Sequence, residues 1–220
     1  MDIELIMNLI IFICALIGAV YGIYNFFRPK KAMYLQMITS GVTCLMFAEL
    51  FSVIYIATQE ELFGGYHVGM LGIIGSFMFF LSANYGQMDG LVDDKSSAFI
   101  KTRITALIIP FVLAAVFAGF CFMNISLEIK IAVGVVTAFI IPCAYYNFKH
   151  IIIYDVEVGI IRSIRKYNIL AVLYAFLIMF KFIGEYGGIM PLYIGACAGV
   201  ALVSLIILPV LKGGVAAWTI

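Results

Sequence analysis

The chain is predicted to be an all-α membrane protein: a bundle of seven transmembrane helices, with the N-terminus outside and the C-terminus cytoplasmic. Three observations predict this. Apolar residues make up 65% of the 220 residues and charged residues 11%, against about 45–50% and about 25% in soluble domains. Mean hydropathy is +1.16. A soluble chain of this size has too much surface for its volume to hide that much apolar area. Soluble, disordered, fibrous and nucleic-acid-binding classes are thereby excluded. Third, the basic residues fall almost entirely on alternate loops, as they do in multi-pass proteins.

A spanning helix needs about 20 mostly apolar residues, because the hydrocarbon core is about 30 Å thick and each residue rises 1.5 Å. Runs of that kind lie at 5–27, 32–58, 62–86, 104–123, 131–148, 168–186 and 191–211. Asp2 and Glu4 precede the first, and Arg28-Pro29-Lys30-Lys31 follow it. It therefore reads as a retained helix rather than a signal peptide, which would have a basic start and a small-residue cleavage site. The second is interrupted only by Glu49, and the third has His67 near its start. The fourth, fifth and seventh hold Pro110, Pro142 and Pro209. Each proline removes a backbone hydrogen bond and is expected to kink its helix. The sixth holds Lys181 and Glu185. Between the fifth and sixth, Ile153, Val156, Ile160, Ile164 and Tyr167 recur at helical spacing, with Arg162, Arg165 and Lys166 off that stripe. This stretch reads either as an interfacial helix on anionic headgroups or as helix 5 continuing beyond the membrane. Residues 1–220 form one polytopic domain, with no soluble domain and no low-complexity linker.

Orientation follows from the basic loops. Arg28, Lys30 and Lys31 follow helix 1; Lys95, Lys101 and Arg103 follow helix 3; Lys149, Arg162, Arg165 and Lys166 follow helix 5; Lys212 follows helix 7. The other side has Lys130 with Asp2, Glu4, Glu60, Glu61 and Glu128. Basic loops stay cytoplasmic, so localisation is expected in the plasma or inner membrane. Cys14, Cys44, Cys121, Cys143 and Cys197 all fall in apolar runs without paired spacing, and read as small buried hydrophobes rather than a disulfide framework.

Helices in lipid associate through close backbone packing and polar contacts. Gly18-x-x-x-Gly22, Gly195-x-x-x-Gly199 and the strip Gly69, Gly72, Gly75 are packing signals. Gln36, Thr39 or Ser40, and Thr43 form a polar stripe on the side of helix 2 away from Glu49. Polar groups on both faces predict that helix 2 is central and surrounded.

Ionisable groups within a span are costly and are the first functional candidates. These are Glu49, Lys181 and Glu185. Lys181 and Glu185 share a face at i and i+4, and Tyr174 continues that face one heptad earlier. Counted from their helix starts, the three charges lie in the outer half within about 6 Å of one another in depth. A Glu49–Lys181–Glu185 cluster with Tyr174 is therefore the expected ligand or ion-pair site, provided helices 2 and 6 meet. The structural alternative is an ion pair that locks the bundle, or side chains that snorkel to the interface. At the cytoplasmic end of helix 3, Asn84, Tyr85, Gln87 and Asp89, followed by Asp93, Asp94 and Lys95, lie opposite Tyr145, Tyr146 and Asn147 of helix 5 and read either as a polar latch that could switch between two packings or as an ordinary wet loop entry. As a metal site this run is poor, because no histidine is nearby in sequence, and no metal or cofactor is expected.

The chemistry of known enzymes is missing. His67 and His150 are predicted on opposite sides of the membrane and cannot share a zinc. The sequence has no G-x-S-x-G, no H-E-x-x-H and no phosphate-cradling loop. Helix 7 has no interior lysine for a retinal Schiff base. Receptors, rhodopsins and 3+1+3 sugar transporters share the topology alone; no D-R-Y, N-P-x-x-Y or P-Q pair is present, and no internal repeat is evident. The expected function is a receptor-like sensor or signalling module that binds a small ligand within the bundle. The alternative is a small-solute or ion/proton-coupled transporter, and an enzyme fits least. The expected partners are the lipid bilayer, a small-molecule ligand and a cytoplasmic or membrane partner protein, with no nucleic acid.

Overall fold

The computed structural model describes residues 3–27, 31–59, 65–90, 93–153 and 160–216. Among the described residues there is no strand, and seven helices are long and apolar enough to cross a membrane. They are α1 (Ile3–Phe26), α2 (Met33–Gln59), α3 (Val68–Leu81), α4 (Ile100–Ala106, then Ile108–Cys121), α5 (Leu127–Ile152), α6 (Ile160–Tyr186) and α7 (Met190–Ala216). A π-helix, Ser82–Asp89, prolongs α3, and a 3₁₀ turn, Ser97–Phe99, precedes α4.

Each predicted span overlaps one of these helices, and the differences at the ends have local causes. The third starts later than expected, with His67 in extended conformation at the N-cap of Val68–Leu81. The fourth starts earlier, so Lys101 and Arg103 sit on its first turns rather than in a loop. It breaks at Leu107 because Pro110 has no N–H for the Ala106 carbonyl; the Leu107 N–H turns back to Ile104 instead (3.1 Å). Around Pro142 and Pro209 the helices continue unbroken. The described residues of the stretch 150–167 do not form a separate interfacial helix. α5 runs to Ile152 and α6 starts at Ile160, so most of the apolar stripe belongs to two helix ends, while Val156 lies outside the described residues.

Six helices close a ring in the order α1–α2–α3–α5–α6–α7, with α7 back against α1. α4 lies outside, against α5 and more lightly α6. The chain thus forms two three-helix groups, α1–α3 and α5–α7, joined through α4 and meeting along an α1/α7 seam and an α3/α5 seam. α2 and α6 face each other across the interior. Helix 2 is therefore a wall of the ring, not its centre. Its second polar stripe is satisfied locally: Thr39 donates to the Leu35 carbonyl (2.9 Å) and Thr43 to that of Thr39 (3.0 Å). A hydroxyl in apolar surroundings needs nothing beyond its own helix.

The interior is filled by Ile11, Ile38, Leu45, Phe77, Ile140, Tyr167, Tyr174 and Tyr193, all buried. α4 buries only Ala106, Leu113 and Phe120, and leaves Phe111 71% exposed. Such an apolar outer face suits lipid, where contact with acyl chains carries no penalty.

Small residues set how closely the walls approach. A Cβ at Gly18 would come within 2.4 Å of the Ser204 carbonyl oxygen on α7. At Gly72 it would meet Ala48 and the Cys44 carbonyl of α2 at under 3 Å. Gly195, expected as a packing glycine, instead faces open space, and only Gly199 of that pair is in contact, against Leu177. α6 and α7 also approach closely at Gly184, where a Cβ would lie 2.5 Å from the Tyr193 backbone nitrogen. The short turn nearby closes with Gly188 at φ +68° and the Ile189 N–H on the Gly184 carbonyl (2.9 Å). That is a left-handed helix cap which glycine adopts without strain.

Gly184→Ala should destabilise the α6/α7 seam by about 1–3 kcal/mol, the usual cost of overpacking. Gly195→Ala should stay within about 0.5 kcal/mol of the parent. Thermal unfolding in detergent, compared between the two variants, checks this.

Candidate functional site

Two clusters of charged and polar side chains lie inside the ring, one near each end. The end where α1 begins is termed the N-terminal end. There the Lys181 ammonium donates to Glu49 Oε1 (2.7 Å) and to Asn8 Oδ1 (2.9 Å). Asn8 in turn donates to the Glu4 carbonyl (2.9 Å) and the Tyr193 hydroxyl (3.2 Å). Glu49 is 1% and Lys181 4% exposed, so neither snorkels. The helical repeat explains the geometry. Tyr167, Tyr174 and Lys181 are spaced by sevens, close to two turns, so one face of α6 carries all three inward. Lys181 and Glu49 then span the interior that their backbones leave between them. Isolated, either charge would be very costly at this depth; paired, and with Asn8 taking a further ammonium proton, they are tolerated. Glu49 Oε2, however, is buried and accepts no hydrogen bond among the described residues.

The other two residues expected in this cluster sit differently. Glu185 is half-buried one turn beyond Lys181, under the electrostatic influence of Lys181, Glu49 and Glu4, but it closes no ion pair among the described residues. Tyr174 does not join the cluster. It lies about 10 Å along the helix from Lys181, with its hydroxyl 3.4 Å from Ser76 Oγ and its ring stacked on Phe77 at 4.8 Å. The heptad that aligns it with Lys181 fixes its face but separates it in depth. Below it, a void of about 10 Å³ is bounded by Leu45, Ser76, Phe80, Tyr174 and Ser204, room for about one water.

At the N-terminal end His67 stacks on Phe51 (6.1 Å). Burial, and then the Lys181 charge, push its pKa from 6.5 down to about 4.

The latch at the other end is larger than the sequence suggested. The π-helical turn carries Asn84 and Asp89 to α5. Asn84 donates to Asn147 (2.7 Å) and faces His150 Nδ1 (3.1 Å), while His150 Nε2 reaches Asp89 (3.2 Å). Lys149 pairs with both Asp89 and Asp93, at 3.0 Å for the latter. Arg103 of α4 forks onto Asp93, its Nε at 2.8 Å. Tyr85 packs on Tyr146 (5.0 Å), with the Lys149 ammonium 5.2 Å from that ring. The Gln87 side chain lies outside the described residues. Burial raises the Asp89 pKa, but the bonds from His150 and Lys149 outweigh it, leaving the group below its usual range. The Arg103 bond, with Lys149, holds Asp93 well below its usual 3.8.

Sequence reasoning found Glu49, Lys181, Asn84, Asp89 and Tyr146, and missed Asn8, Tyr193, Arg103, Lys149 and His150 as partners. A lone asparagine in apolar α1 was the available signal for Asn8. Contrary to the expectation of no histidine near the latch, His150, 61 residues away in sequence, is hydrogen-bonded to Asp89. Among the described residues no group of three or more His, Cys, Asp or Glu is placed to hold a metal ion. All five cysteines are free. Comparison with family models, curated proteins and solved structures finds no match.

Lys181→Met strands a buried carboxylate and should cost about 3–5 kcal/mol, whereas Lys181→Met/Glu49→Leu should cost less than the sum of the single changes. Unfolding midpoints of the four proteins of this cycle measure the coupling.

A second expectation concerns acid. The folded pKa of His67 lies below its unfolded value, so the unfolded chain binds more protons between pH 6.5 and about 4. Stability therefore falls as pH drops through that window. The contribution of Asp89 and Asp93 is present above 3.8 and is lost only as pH falls below it. His67→Gln should flatten the stability–pH curve between 6.5 and 4. Asp93→Asn should instead reduce the loss below 3.8.

Proposed function

We propose that this chain is a receptor-like membrane sensor. It binds a small ligand at the Glu49–Lys181 cluster and passes a change in helix packing to the latch at the other end. The N-terminal end faces outside, because Lys31, Lys95, Lys101, Arg103, Lys149, Arg165, Lys166 and Lys212 lie toward the opposite end. Basic ends stay cytoplasmic, in the plasma or inner membrane.

One observation carries the reading: each cluster ties the two three-helix groups together, at opposite ends and along opposite seams. The outer cluster joins Asn8 and Glu49 of the first group to Lys181 and Tyr193 of the second. The inner latch joins Asn84 and Asp89 of the first group to Asn147, Lys149 and His150 of the second. The space between is packed, so a shift at one seam is carried as a rigid movement to the other. The π-helix at Ser82–Asp89 is the element that can change. Such bulges recur at functional sites, and returning to α-helical register would turn Asp89 relative to Lys149 and His150. A cytoplasmic or membrane partner protein would read that change.

The two-group ring also favours a second reading, a small-solute or proton-coupled transporter with an ionic gate at each end. The two readings separate on flux. In lipid nanodiscs Glu49→Gln should speed amide hydrogen exchange across Ser82–Asp89 by at least about tenfold, which corresponds to roughly 1.4 kcal/mol of lost protection. The wild type in liposomes should pass no protons into a trapped pH dye under a potassium diffusion potential. Unchanged exchange at the latch would sink the sensor, and robust flux would favour the transporter.

A further inference from the structure

Among the described residues, Glu49 carries a buried carboxylate oxygen, Oε2, with no donor. An unmatched acceptor of this kind is costly in apolar surroundings. Lys181 does not answer it, since its described bonds go to Oε1 and Asn8. The approach is also acidic. Glu4 lies one turn outward of Asn8 on α1, and Glu185 one turn outward of Lys181 on α6. Both are half-buried, whereas Glu49 is buried. Glu49 and Glu185 act electrostatically on Lys181, Glu4 acts on Glu185, and His67 is held neutral. The other titratable groups facing this cluster are Tyr193 and Cys197 of α7, both buried, and Tyr174, further in. An electronegative funnel concentrates cations.

We propose, building on the sensor reading, that the ligand is a small organic ammonium ion entering between Glu4 and Glu185 and donating an N–H to Glu49 Oε2. A hydrogen-bond donor is required because the unmet group is an acceptor. A metal ion fits poorly, because among the described residues no three ligating side chains converge. A second positive charge beside Glu49 competes with Lys181 for the same carboxylate. Binding therefore loosens a contact that spans the ring, which is the event the sensor needs.

The test uses the full chain in nanodiscs at constant ionic strength and pH, with n-alkylammonium chlorides from methyl to hexyl as probes. Tetramethylammonium, which has no N–H, and the matching n-alcohols serve as controls. At least one alkylammonium should raise the unfolding temperature saturably, while the controls leave it unchanged. Glu49→Gln should weaken the apparent affinity at least about tenfold, as loss of a charged hydrogen bond does. If that variant fails to fold, Glu4→Gln/Glu185→Gln, at half-buried positions, should weaken it at least about threefold by removing the attracting field. The proposal is overturned if no alkylammonium stabilises the protein, if tetramethylammonium or the alcohols do so equally, or if the variants bind like wild type. The sensor reading fails separately, through unchanged hydrogen exchange at Ser82–Asp89 in the ligand-free Glu49→Gln protein.

Discussion

A lysine and a glutamate at membrane depth must find each other, and here they do so across the width of a helical ring. Much of the architecture follows from that requirement. Lys181 and Glu49 lie on α6 and α2, which are not sequence neighbours and do not share a broad packing seam. They meet only because α1 and α7 close one side of the ring and α3 and α5 the other. The glycines make that closure tight: Gly18 and Gly22 seat α1 against α7 and α2, and Gly69, Gly72 and Gly75 seat α3 against α2. Asn8 and Tyr193 then complete the ammonium's surroundings from the two helices that form the first seam. The pair contributes little to net stability, since desolvation offsets most of the attraction. An arrangement that keeps the two side chains apart leaves a buried charge alone.

The second cluster shows the same economy with a different consequence. Arg103 and Lys149 are among the basic residues on which the proposed orientation rests, and both are engaged with Asp93, Lys149 being buried. The π-helix makes this possible. Ending α3 with a wider turn brings Asn84 and Asp89 onto one side, facing Asn147, Lys149 and His150.

How far the sequence could be read follows from which quantities are local. Span number depends on hydropathy over about 20 residues, and all seven spans were legible. Glu49 and Lys181 stood out because an ionisable side chain in an apolar run is conspicuous wherever its partner lies. Partners themselves depend on ring order, which no local pattern encodes. Tyr174 was grouped with Lys181 because it shares its face, but a shared face says nothing about depth, and Tyr174 belongs with Ser76 and Phe77. His150 was dismissed as remote because it lies far along the chain from Asp89, though α3 and α5 bring the two together. Glycine spacing was equally ambiguous. Gly195 fits the small-xxx-small pattern and faces open space, whereas Gly184 fits no pattern and marks a close approach of α6 and α7. The proline break was legible in kind but not in place, since only Pro110 interrupts its helix.

Both ends of the ring are tied, and this constrains any mechanism. Opening either end means separating buried opposite charges, at roughly 3–5 kcal/mol if no substitute partner arrives. A penalty of that size holds the open state to about one part in a few hundred to a few thousand. A ligand shifts such an equilibrium only by the difference in its affinity for the two states. On the proposed sensor reading the outer cluster provides that difference, because Glu49 Oε2 has no hydrogen-bond partner among the described residues. A donor that reaches Oε2 replaces part of what Lys181 supplies, so separation no longer strands a bare carboxylate. The inner latch has no such vacancy at Asp93, whose two oxygens are taken by Arg103, Lys149 and the Lys95 N–H. The asymmetry gives the coupling a direction: the end with the unmet acceptor responds first, and the saturated end follows.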